Sequence, residues 1–278
     1  MRHQHDTPIL LRKSICILLL FLGTVLNASV RMVVWNIQNM GRSKDAMEIK
    51  HIAETLKSFD VVGIVEVVAG DGGAQSVGRL ADQLNRTGAA WDYCISDPTS
   101  SEHTGERERY AFLWKKSKVK RIGKAVLEPH LADAVSREPY MATFEAEGKL
   151  FSLLIFHAVP KSKQPETEIK HLKHIPELYP NIPVIMAGDF NCPGSHTVYI
   201  PLQKSGYAFA SPGQKTSLRR KCDSGDCLAS EYDHILYPSA KIRRMQAGIL
   251  PFYKGIQPYE QALKISDHVP VWMEFSIP

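Results

Sequence analysis

The sequence predicts an α/β (α+β) fold in which stacked sheets are covered by helices on their outer faces. Two strand–helix units come first, because the apolar, β-branched runs Val30–Trp35 and Val61–Val68 are each followed by an amphipathic segment. From Trp91 onward, short apolar runs separated by turn residues dominate, which is typical of many short strands. The composition, 44% hydrophobic and 23% charged, argues against a disordered, collagen-like or coiled-coil chain.

Three helices are predicted from the spacing of apolar residues. The first covers Asp45–Phe59 and begins with Asp45 and Glu48 as a capping pair. The second follows the glycine-rich loop 70–73, and the third runs from near Pro165 to near Pro176. The apolar positions that mark them are Ile49, Ile52, Ala53 and Leu56, then Val77, Leu80, Ala81 and Leu84, then Ile169 and Leu172.

Seven further short strands complete the predicted sheets. They are Trp91–Ile95, Tyr110–Trp114, Tyr140–Phe144, Phe151–Phe156, Val184–Ala187, Ile235–Tyr237 and Val271–Phe275. No internal repeat or low-complexity tract interrupts this series. Because large sandwiches of roughly 200–250 residues form single domains, residues 29–278 are predicted to be one domain whose loops carry the site.

The N-terminal segment has the pattern of an export signal. Arg12 and Lys13 are followed by the apolar run Ile15–Leu22 and by small residues up to Ala28. The apolar run is shorter than the roughly 20 residues of a membrane-spanning helix. Residues 1–28 are therefore predicted to be a signal peptide, with an uncleaved N-terminal anchor as the alternative. The mature protein is expected to be secreted or periplasmic, without a stable membrane span.

The charge balance permits a polyanionic substrate without requiring one. The 34 basic and 29 acidic residues become 31 and 28 once Arg2, Arg12, Lys13 and Asp6 are removed with the signal, which leaves a net charge of +3. Local patches decide such binding more than net charge. Three basic clusters are present: Lys115, Lys116, Lys118, Lys120 and Arg121; Arg219, Arg220 and Lys221; and Lys241, Arg243 and Arg244.

Four cysteines remain after removal of the signal, which contains Cys16. Cys222 and Cys227 enclose a turn-rich stretch and are predicted to form a disulfide in an oxidising compartment. A metal site is the rival interpretation, but no second cysteine or histidine pair at zinc-finger spacing accompanies them in the sequence.

Polar residues recur immediately after or within the apolar runs, a placement that points to a site at the ends of strands. They are Asn36, Glu66, Glu108, His157, Asp189, Asn191, Asp233, Asp267 and His268. Any one of them alone is more often a cap or a satisfied buried polar group. Together, their carboxylate and amide oxygens suit Mg²⁺, Mn²⁺ or Ca²⁺ rather than zinc or copper.

The two histidines and two further carboxylates add acid/base chemistry. Glu108 and Asp233 are candidates to orient an imidazole each and to stabilise its charged form. Hydrolysis of a phosphate ester needs a cation against phosphoryl charge, a base for water and a proton donor for the leaving oxygen. The residue set therefore predicts a metal-dependent hydrolase of phosphate esters.

An ordered motif series makes a family resemblance specific. It spans nearly the whole mature chain: Val34–Ile37, Val65–Val67, Glu108–Tyr110, Arg137–Pro139, Phe156–Pro160, Gly188–Asn191, Tyr232–Asp233 and Ser266–His268. In this order the motifs resemble those of the deoxyribonuclease I branch of the endonuclease/exonuclease/phosphatase superfamily. The resemblance implies a four-layer αββα sandwich, with two central mixed, mostly antiparallel sheets flanked by helices and the site where the sheet edges meet.

The resemblance also implies roles for these positions. Glu66 would hold Mg²⁺ or Mn²⁺, with Ca²⁺ as a further candidate, and Asn36, Asp189, Asn191 and Asp267 would lie around it or around a second cation. Glu108 would pair with His157 and Asp233 with His268 as catalytic groups. Arg137 and Asn191 would contact phosphate, where a guanidinium binds two oxygens at once. The implied activity is an endonuclease acting on DNA with little sequence preference.

Two positions depart from the family pattern. Val68 and Glu106 stand where an arginine and a tyrosine that contact the DNA minor groove are expected. A basic side chain in that narrow groove contributes strongly to duplex binding. Its absence makes single strands or RNA alternative substrates, with the clusters Lys115–Arg121 and Arg219–Lys221 as candidate replacements for the groove contact.

Two other functions are compatible with the sequence. A secreted sphingomyelinase or another lipid or phosphoester hydrolase of the superfamily would share the machinery, but the long, apolar and aromatic insertion that attacks membranes is not evident in the sequence. An exported interaction protein that has lost the chemistry is the second alternative, because fold does not imply function. The retention of every expected ligand and both histidine pairs argues against it.

Overall fold

Two six-stranded β-sheets pack face to face in the computed structural model of the protein, which describes residues 29–101, 104–222 and 225–278. The predicted export signal, residues 1–28, lies outside the described residues. In chain order the strands are β1 (Val30–Met40), β2 (Val61–Val68), β3 (Trp91–Ile95), β4 (Glu108–Lys115), β5 (Lys120–Leu127), β6 (Tyr140–Ala146), β7 (Lys149–His157), β8 (Val184–Asp189), β9 (Tyr207–Phe209), β10 (Asp233–Pro238), β11 (Arg243–Ile249) and β12 (Val271–Ser276). The helices are α1 (Ala46–Leu56), α2 (Gly73–Asn85), α3 (Glu166–Ile169), α4 (Ile175–Leu178), α5 (Ile200–Lys204) and α6 (Tyr259–Ile265).

The sheets are mixed and mostly antiparallel, as predicted. The first has the strand order β11-β12-β1-β2-β4-β3 and the second β5-β6-β7-β8-β10-β9. Only β1 with β2, and β7 with β8, pair in parallel in the described part of the chain. Each parallel pair lies near the middle of its sheet. The carboxyl ends of these four strands therefore meet at one end of the sandwich.

Three apolar layers hold the four-layer arrangement together. Between the sheets, Phe144, Phe151 and Phe275 pack in a cluster whose members are almost all strand residues. Trp35 belongs to the layer that joins the first sheet to α1 and α2, and Phe156 belongs to the layer between the second sheet and α3 to α5. Burial of such side chains from water is the main stabilising contribution, at about 25 cal/mol per Å² of apolar area.

Local sequence explains how α1 begins. The Asp45 side chain accepts hydrogen bonds from the backbone of Met47 and Glu48, and the Glu48 side chain accepts from the backbone of Asp45. This reciprocal cap satisfies amide groups that have no partner inside the helix. It confirms the predicted capping pair. The helix ends at Leu56, three residues before the predicted end, and Phe59 still packs in the buried layer beneath it.

The strands β2 and β3 have the predicted bounds, the other predicted elements are confirmed with shifted bounds, and some elements were not predicted. The third helix is divided into α3, a 3₁₀ turn over Lys170–His174, and α4. Strands β5, β9 and β11 and helices α5 and α6 had no counterpart in the sequence prediction. The predicted disulfide between Cys222 and Cys227 is present. Across the described ranges, none of the helices has the length and apolar character that spanning a bilayer requires.

Candidate active site

The polar residues predicted at strand ends converge at one end of the sandwich. In the second sheet, Asp189 on β8 is the register partner of His157 on β7 and of Asp233 on β10. From the first sheet, Asn36 on β1 and the neighbouring Glu66 on β2 approach the same point. The packing of the two sheets thus places Asn36 beside Asp189, which is 153 positions away in the sequence.

Asp189 lies at the centre of this group and is almost completely buried. Its Oδ2 accepts a hydrogen bond of 3.1 Å from Asn36 Nδ2. The same oxygen lies 3.5 Å from Nε2 of His157 and 3.7 Å from Nε2 of His268. One carboxylate oxygen therefore stands between the two imidazoles, and both rings direct Nε2 toward it.

Each histidine has a carboxylate on its other nitrogen. Nδ1 of His157 lies 2.8 Å from Glu108 Oε2, and Nδ1 of His268 lies 2.7 Å from Asp233 Oδ2. Ionised carboxylates only accept hydrogen bonds, so Nδ1 carries the proton in both pairs. Nε2 is then the atom that gains or loses a proton toward the site. The predicted pairing of these four residues is confirmed.

The surroundings raise the pKa of both histidines. For His157, burial is the largest influence and lowers the pKa, but the charge and hydrogen bond of Glu108 outweigh it and raise the pKa above its usual value. For His268, burial again lowers the pKa, while Asp233 and Asp189 raise it well above the usual value. The opposing contributions are those expected of a buried group beside an opposite charge. Both imidazoles are thereby stabilised in the charged form.

Glu66 is held in an uncommon backbone conformation at a break in the strand register. Its φ is +61°, and the pairing of β2 with β4 shifts between Ile64 and Val67. Oε1 accepts 2.9 Å from Asn36 Nδ2, and Oε2 accepts 3.1 Å from the Asn39 backbone. Asn39 (φ +51°) and Asn191 (φ +49°) share the left-handed conformation. Strained residues of this kind persist where surrounding contacts fix them, and they cluster at functional sites.

The oxygens around Asp189 fit a hard divalent cation. Oδ1 of Asn36 is buried and, among the residues that the structure describes, has no hydrogen-bond partner. A buried acceptor left without a partner costs roughly 1–3 kcal/mol. The carboxylates of Glu66 and Asp189 accept from Nδ2 of the same amide, and oxygen ligands of these kinds are preferred by Mg²⁺, Mn²⁺ and Ca²⁺. The residues present therefore fit the predicted cation.

A second grouping of potential ligands overlaps with the first. Atoms of Asp189, Asp233 and His268 lie within 4.8 Å of one another. The hydrogen bond between Asp233 and His268 already occupies Nδ1 of that histidine. Asp189 is therefore common to the Asp233–His268 pair and to the oxygen group of Asn36 and Glu66.

The other predicted site residues differ in how closely they approach. The Asn191 backbone donates 2.9 Å to Asp189 Oδ1, and its Nδ2 donates 3.1 Å to the Ala158 carbonyl. Asp267 is half-buried and acts on His268 by charge, without a direct hydrogen bond from its carboxylate to the Asp189 group in the described chain. The predicted set is thus brought to one end of the sandwich, with Asp267 at its margin.

Arg137 is positioned mainly by backbone groups. Its Nε donates 3.0 Å to the His157 carbonyl and its Nη2 donates 2.6 Å to the Ala158 carbonyl. Nη1 lies 3.8 Å from Glu108 Oε2. The guanidinium is buried, yet it lines the cleft that leads to His157. This placement braces β7 and holds a positive charge beside the Glu108–His157 pair.

Several supporting residues were not singled out from the sequence. The Ser266 hydroxyl donates to the Asn36 carbonyl and accepts from the His268 backbone, which ties the segment before β12 to the end of β1 within the first sheet. The Thr216 hydroxyl accepts 2.9 Å from the Asp233 backbone, and the Trp35 indole donates 2.7 Å to the His268 carbonyl. Among these supporting residues, only Ser266 is marked in the sequence, because it directly precedes Asp267 and His268 in one of the motifs.

Gly188 is a position in β8 where a side chain has no room. Its φ is +139°, and a Cβ atom there would lie 2.0 Å from the carbonyl oxygen of Phe156 in the adjacent strand. Because that oxygen belongs to a central strand, it has little freedom to move. We expect Gly188→Ala to lower the free energy of unfolding by at least about 2 kcal/mol. Thermal denaturation beside Gly70→Ala, where a Cβ would meet no atom within 4 Å, tests this; equal melting temperatures would contradict it.

An open cleft of about 490 Å³ leads to the site, and Glu66, Glu108 and His157 line its inner end. Val68 and Glu106, the two positions that depart from the family pattern, line the same cleft. Glu106 forms an ion pair with Lys163 and also borders an adjoining cleft of about 660 Å³. The altered residues therefore lie where a substrate would approach the catalytic pairs.

The basic clusters are divided between the two ends of the sandwich. Isolated bridges pair Ser217 with His268 and Leu218 with Leu228, and a disulfide joins Cys222 to Cys227 in the same segment. Arg219, Arg220 and Lys221 are exposed on this segment, on the catalytic side. The cluster Lys115–Arg121 instead lies beyond the opposite ends of β4 and β5, so the hypothesis that it replaces the groove contact is wrong for geometric reasons.

Comparisons with known proteins agree with this geometry. The model of the Endonuclease/Exonuclease/phosphatase family matches residues 33–268. A deoxyribonuclease of Thioalkalivibrio sp. (strain K90mix) is 30% identical over 283 residues, covering 93% of this chain and 74% of the relative. Deoxyribonuclease-1-like 1 of Cricetulus griseus is 25% identical, covering 95% and 89%. The crystal structure of a family protein from Bacteroides thetaiotaomicron has the same fold, with a TM-score of 0.64, 15% identity and coverage of 90% and 98%.

Proposed function

The chain belongs to the endonuclease/exonuclease/phosphatase family, in its deoxyribonuclease I-like branch, and we propose that it is an exported, divalent-metal-dependent endonuclease that hydrolyses DNA with little sequence preference. The observation that carries this proposal is the convergence of the Glu108–His157 and Asp233–His268 pairs on Asp189. Two oriented imidazoles facing one point provide both a proton acceptor and a proton donor. Hydrolysis of a phosphodiester requires both.

The protein's own groups supply positioning and proton transfer. Glu108 and Asp233 fix the ring orientation and the protonated Nδ1 of their histidines, which leaves each Nε2 to exchange a proton with water or with the leaving oxygen. Arg137 places a positive charge at the wall of the cleft, where phosphate oxygens would approach. Asn191, half-buried beside Asp189, is the second candidate for phosphate contact.

The oxygen set beside the histidines is the proposed cation site. Glu66, Asn36 and Asp189 would hold Mg²⁺ or Mn²⁺, with Asn191 and Asp267 nearby and Ca²⁺ as a further candidate. A bound cation of this kind neutralises charge that develops on the phosphoryl oxygens. Two observations support the assignment: Asn36 Oδ1 has no hydrogen-bond partner in the described chain, and the carboxylates of Glu66 and Asp189 accept from Nδ2 of the same amide.

DNA is the proposed substrate, and its phosphates are the proposed recognition element. Relatives named as deoxyribonucleases support this choice. Because Val68 and Glu106 offer no basic groove contact, we assign the electrostatic attraction to Arg219, Arg220 and Lys221 beside His268. Contacts to phosphates carry no base information, which agrees with low sequence preference and with single strands or RNA as additional substrates.

This assignment predicts a change in salt dependence. Replacing Arg220 and Lys221 by alanine should lower the slope of log Kd against log salt by about two, since each phosphate contact contributes about one. Binding of a duplex oligonucleotide, measured by fluorescence anisotropy at several salt concentrations, tests this. Lys116→Ala/Lys118→Ala removes the same charge at the opposite end and should leave the slope unchanged. A strong preference for one base sequence would contradict phosphate recognition.

One substrate panel tests the proposed activity. Purified protein is incubated with plasmid DNA, single-stranded DNA, RNA and sphingomyelin, each with and without a chelator. We expect nicking of the plasmid that chelator abolishes. Cleavage of sphingomyelin alone would favour a lipid phosphodiesterase, and inactivity on every substrate with Mg²⁺ or Mn²⁺ would favour an interaction protein without chemistry.

The proposed export is tested by identifying the N-terminal residue of the mature protein. The apolar run after Arg12 and Lys13 predicts a mature N-terminus near Ala28 to Val30 and a domain that comprises residues 29–278. N-terminal sequencing of the protein recovered from its native source identifies the processed residue. Met1 on a soluble cytosolic species would refute secretion or periplasmic export.

A further inference from the structure

We propose that the end of the sandwich opposite the active site is a surface that binds anionic lipid bilayers. The loop 116–119 connects β4 of the first sheet to β5 of the second, and the loop 239–242 connects β10 of the second sheet to β11 of the first. Both of these crossings lie at the end remote from Asp189, because β4 and β10 each begin at the catalytic end. Each crossing carries one of the basic clusters found in the sequence.

Six basic side chains at this end are exposed, and two of them also donate within the protein, Lys241 to the Pro180 carbonyl and Arg244 to the Ala210 carbonyl. Those at and beside the two crossings that are exposed are Lys116, Lys118, Lys120, Lys241, Arg243 and Arg244. Asp60, near the first crossing, is buried and already accepts from the Arg31 backbone, with Lys115 Nζ 3.7 Å away. Glu145, the register partner of Lys120, and Glu147 lie at the same end and offset part of the positive charge of the six basic residues.

The basic clusters at the two crossings are well separated on this end of the sandwich. Strands β4 and β11 are separated by β2, β1 and β12 in the first sheet. Four inter-strand steps of about 4.8 Å place the clusters roughly 19 Å apart. Two basic clusters at this separation fit an extended anionic surface. A basic residue near such a surface contributes about 1 kcal/mol to binding.

Exposed apolar residues support a bilayer as the partner. Met245, 52% exposed, and Leu150, 38% exposed, are available beside the basic clusters for contact with acyl chains.

Nucleic acid is the less favoured partner because of the position of the site. Six residue steps along β1 separate Val30 from Asn36, a distance of roughly 20 Å at 3.3 Å per residue. A DNA segment held on the remote face would not reach His157 or His268. A bilayer bound there would instead leave the catalytic cleft directed toward solution.

Vesicle binding by the full chain tests the proposal. Vesicles of equal parts phosphatidylcholine and phosphatidylglycerol are compared with pure phosphatidylcholine vesicles by co-sedimentation. Wild-type protein should bind the anionic vesicles more tightly, in a salt-sensitive manner. Lys116→Glu/Lys118→Glu should weaken that binding by about 25-fold or more, at about fivefold for each basic residue lost. Its turnover on DNA should be unchanged.

A matched variant at the catalytic end provides the control. Arg220→Glu/Lys221→Glu makes the same change in charge and should retain vesicle binding while losing affinity for DNA. Equal binding of wild type and Lys116→Glu/Lys118→Glu to anionic vesicles would overturn the proposal. Loss of DNA affinity in that variant, with vesicle binding intact, would identify a nucleic-acid surface instead. Because DNA cleavage is measured separately, failure of the proposed nuclease activity would not be mistaken for failure of the lipid surface.

Discussion

Replacing His268 by asparagine should lower turnover on plasmid DNA by about 10²–10⁴-fold, the usual contribution of a positioned general acid or base. His268 is buried, its Nδ1 is bonded to Asp233, and its Nε2 faces Asp189. Asparagine keeps a polar group of similar size but cannot exchange the proton. Substrate affinity should therefore change little while turnover falls.

His234 offers a matched control for this variant. It follows Asp233 on β10 and is as buried as His268, but it belongs to the outer face, where Nε2 bonds the Cys192 carbonyl at 2.8 Å and the ring packs on Phe190. Burial lowers the pKa of His234 and favours its neutral form. His234→Asn should reduce thermal stability but leave turnover per folded molecule intact. A folded His268→Asn protein with near-normal turnover would remove that histidine from the mechanism.

The second histidine extends the same test. His157→Asn should also cost about 10²–10⁴-fold in turnover, for the same reason. If both histidines serve one transition state, the double variant should lose less than the product of the two separate losses, because groups that act as a unit are not additive. If the loss of turnover in the double variant equals the product of the two single losses, the histidines act in two independent steps.

The site could be predicted from the sequence because its residues are marked locally. Glu108 and Asp233 each begin an apolar strand, and Asp189 ends one. A charged group next to an apolar run can be recognised without any knowledge of the fold. The hydrogen bonds that position the site could not be predicted in this way. The Ser266 hydroxyl donates to the carbonyl of Asn36, which lies 230 positions away in the sequence, and only the strand order brings the two residues together.

The three strands that were not predicted from the sequence share one physical property. Strands β5, β9 and β11 are all at the edges of their sheets. Edge strands tend to be short or to carry charged side chains, which limits pairing with other molecules. Residues such as Lys124 and Arg243 remove the apolar alternation from which strands are predicted. Helices α5 and α6, with five and seven residues, are too short to display a period.

Placement of the basic clusters depends on the same strand order. In the sequence, Lys115–Arg121 and Arg219–Lys221 are equivalent candidates for DNA contact. The pairing of β4 with β2 directs Lys115 away from the site, whereas the bridge from Ser217 to His268 brings Arg219 toward it. Composition alone carries no information that separates the two.

Replacing Glu66 by glutamine should lower activity by at least about 10²-fold and raise the Mg²⁺ or Mn²⁺ concentration needed for half-maximal activity. Glu66 contributes a carboxylate, 25% exposed, that accepts from Asn36 Nδ2 and lies 3.8 Å from His157 Nε2. A neutral amide balances less cation charge, and even residues that only support a metal ligand contribute 10–100-fold in affinity or activity. Activity is titrated with each metal, and metal binding is measured independently by calorimetry.

Glu106→Gln is the control for this substitution, since it removes the same charge from the same cleft. Glu106 pairs with Lys163 at the border with the adjoining cleft, so its loss should leave the metal requirement unchanged. Thermal stability provides a second measurement, because glutamine has the size of glutamate and keeps one oxygen that can accept from Asn36 Nδ2 or from the Asn39 backbone. Glu66→Gln should therefore keep a melting temperature close to wild type in chelator. Unaltered metal affinity in a folded Glu66→Gln protein would place the cation elsewhere, and full wild-type activity in excess chelator would exclude a required metal.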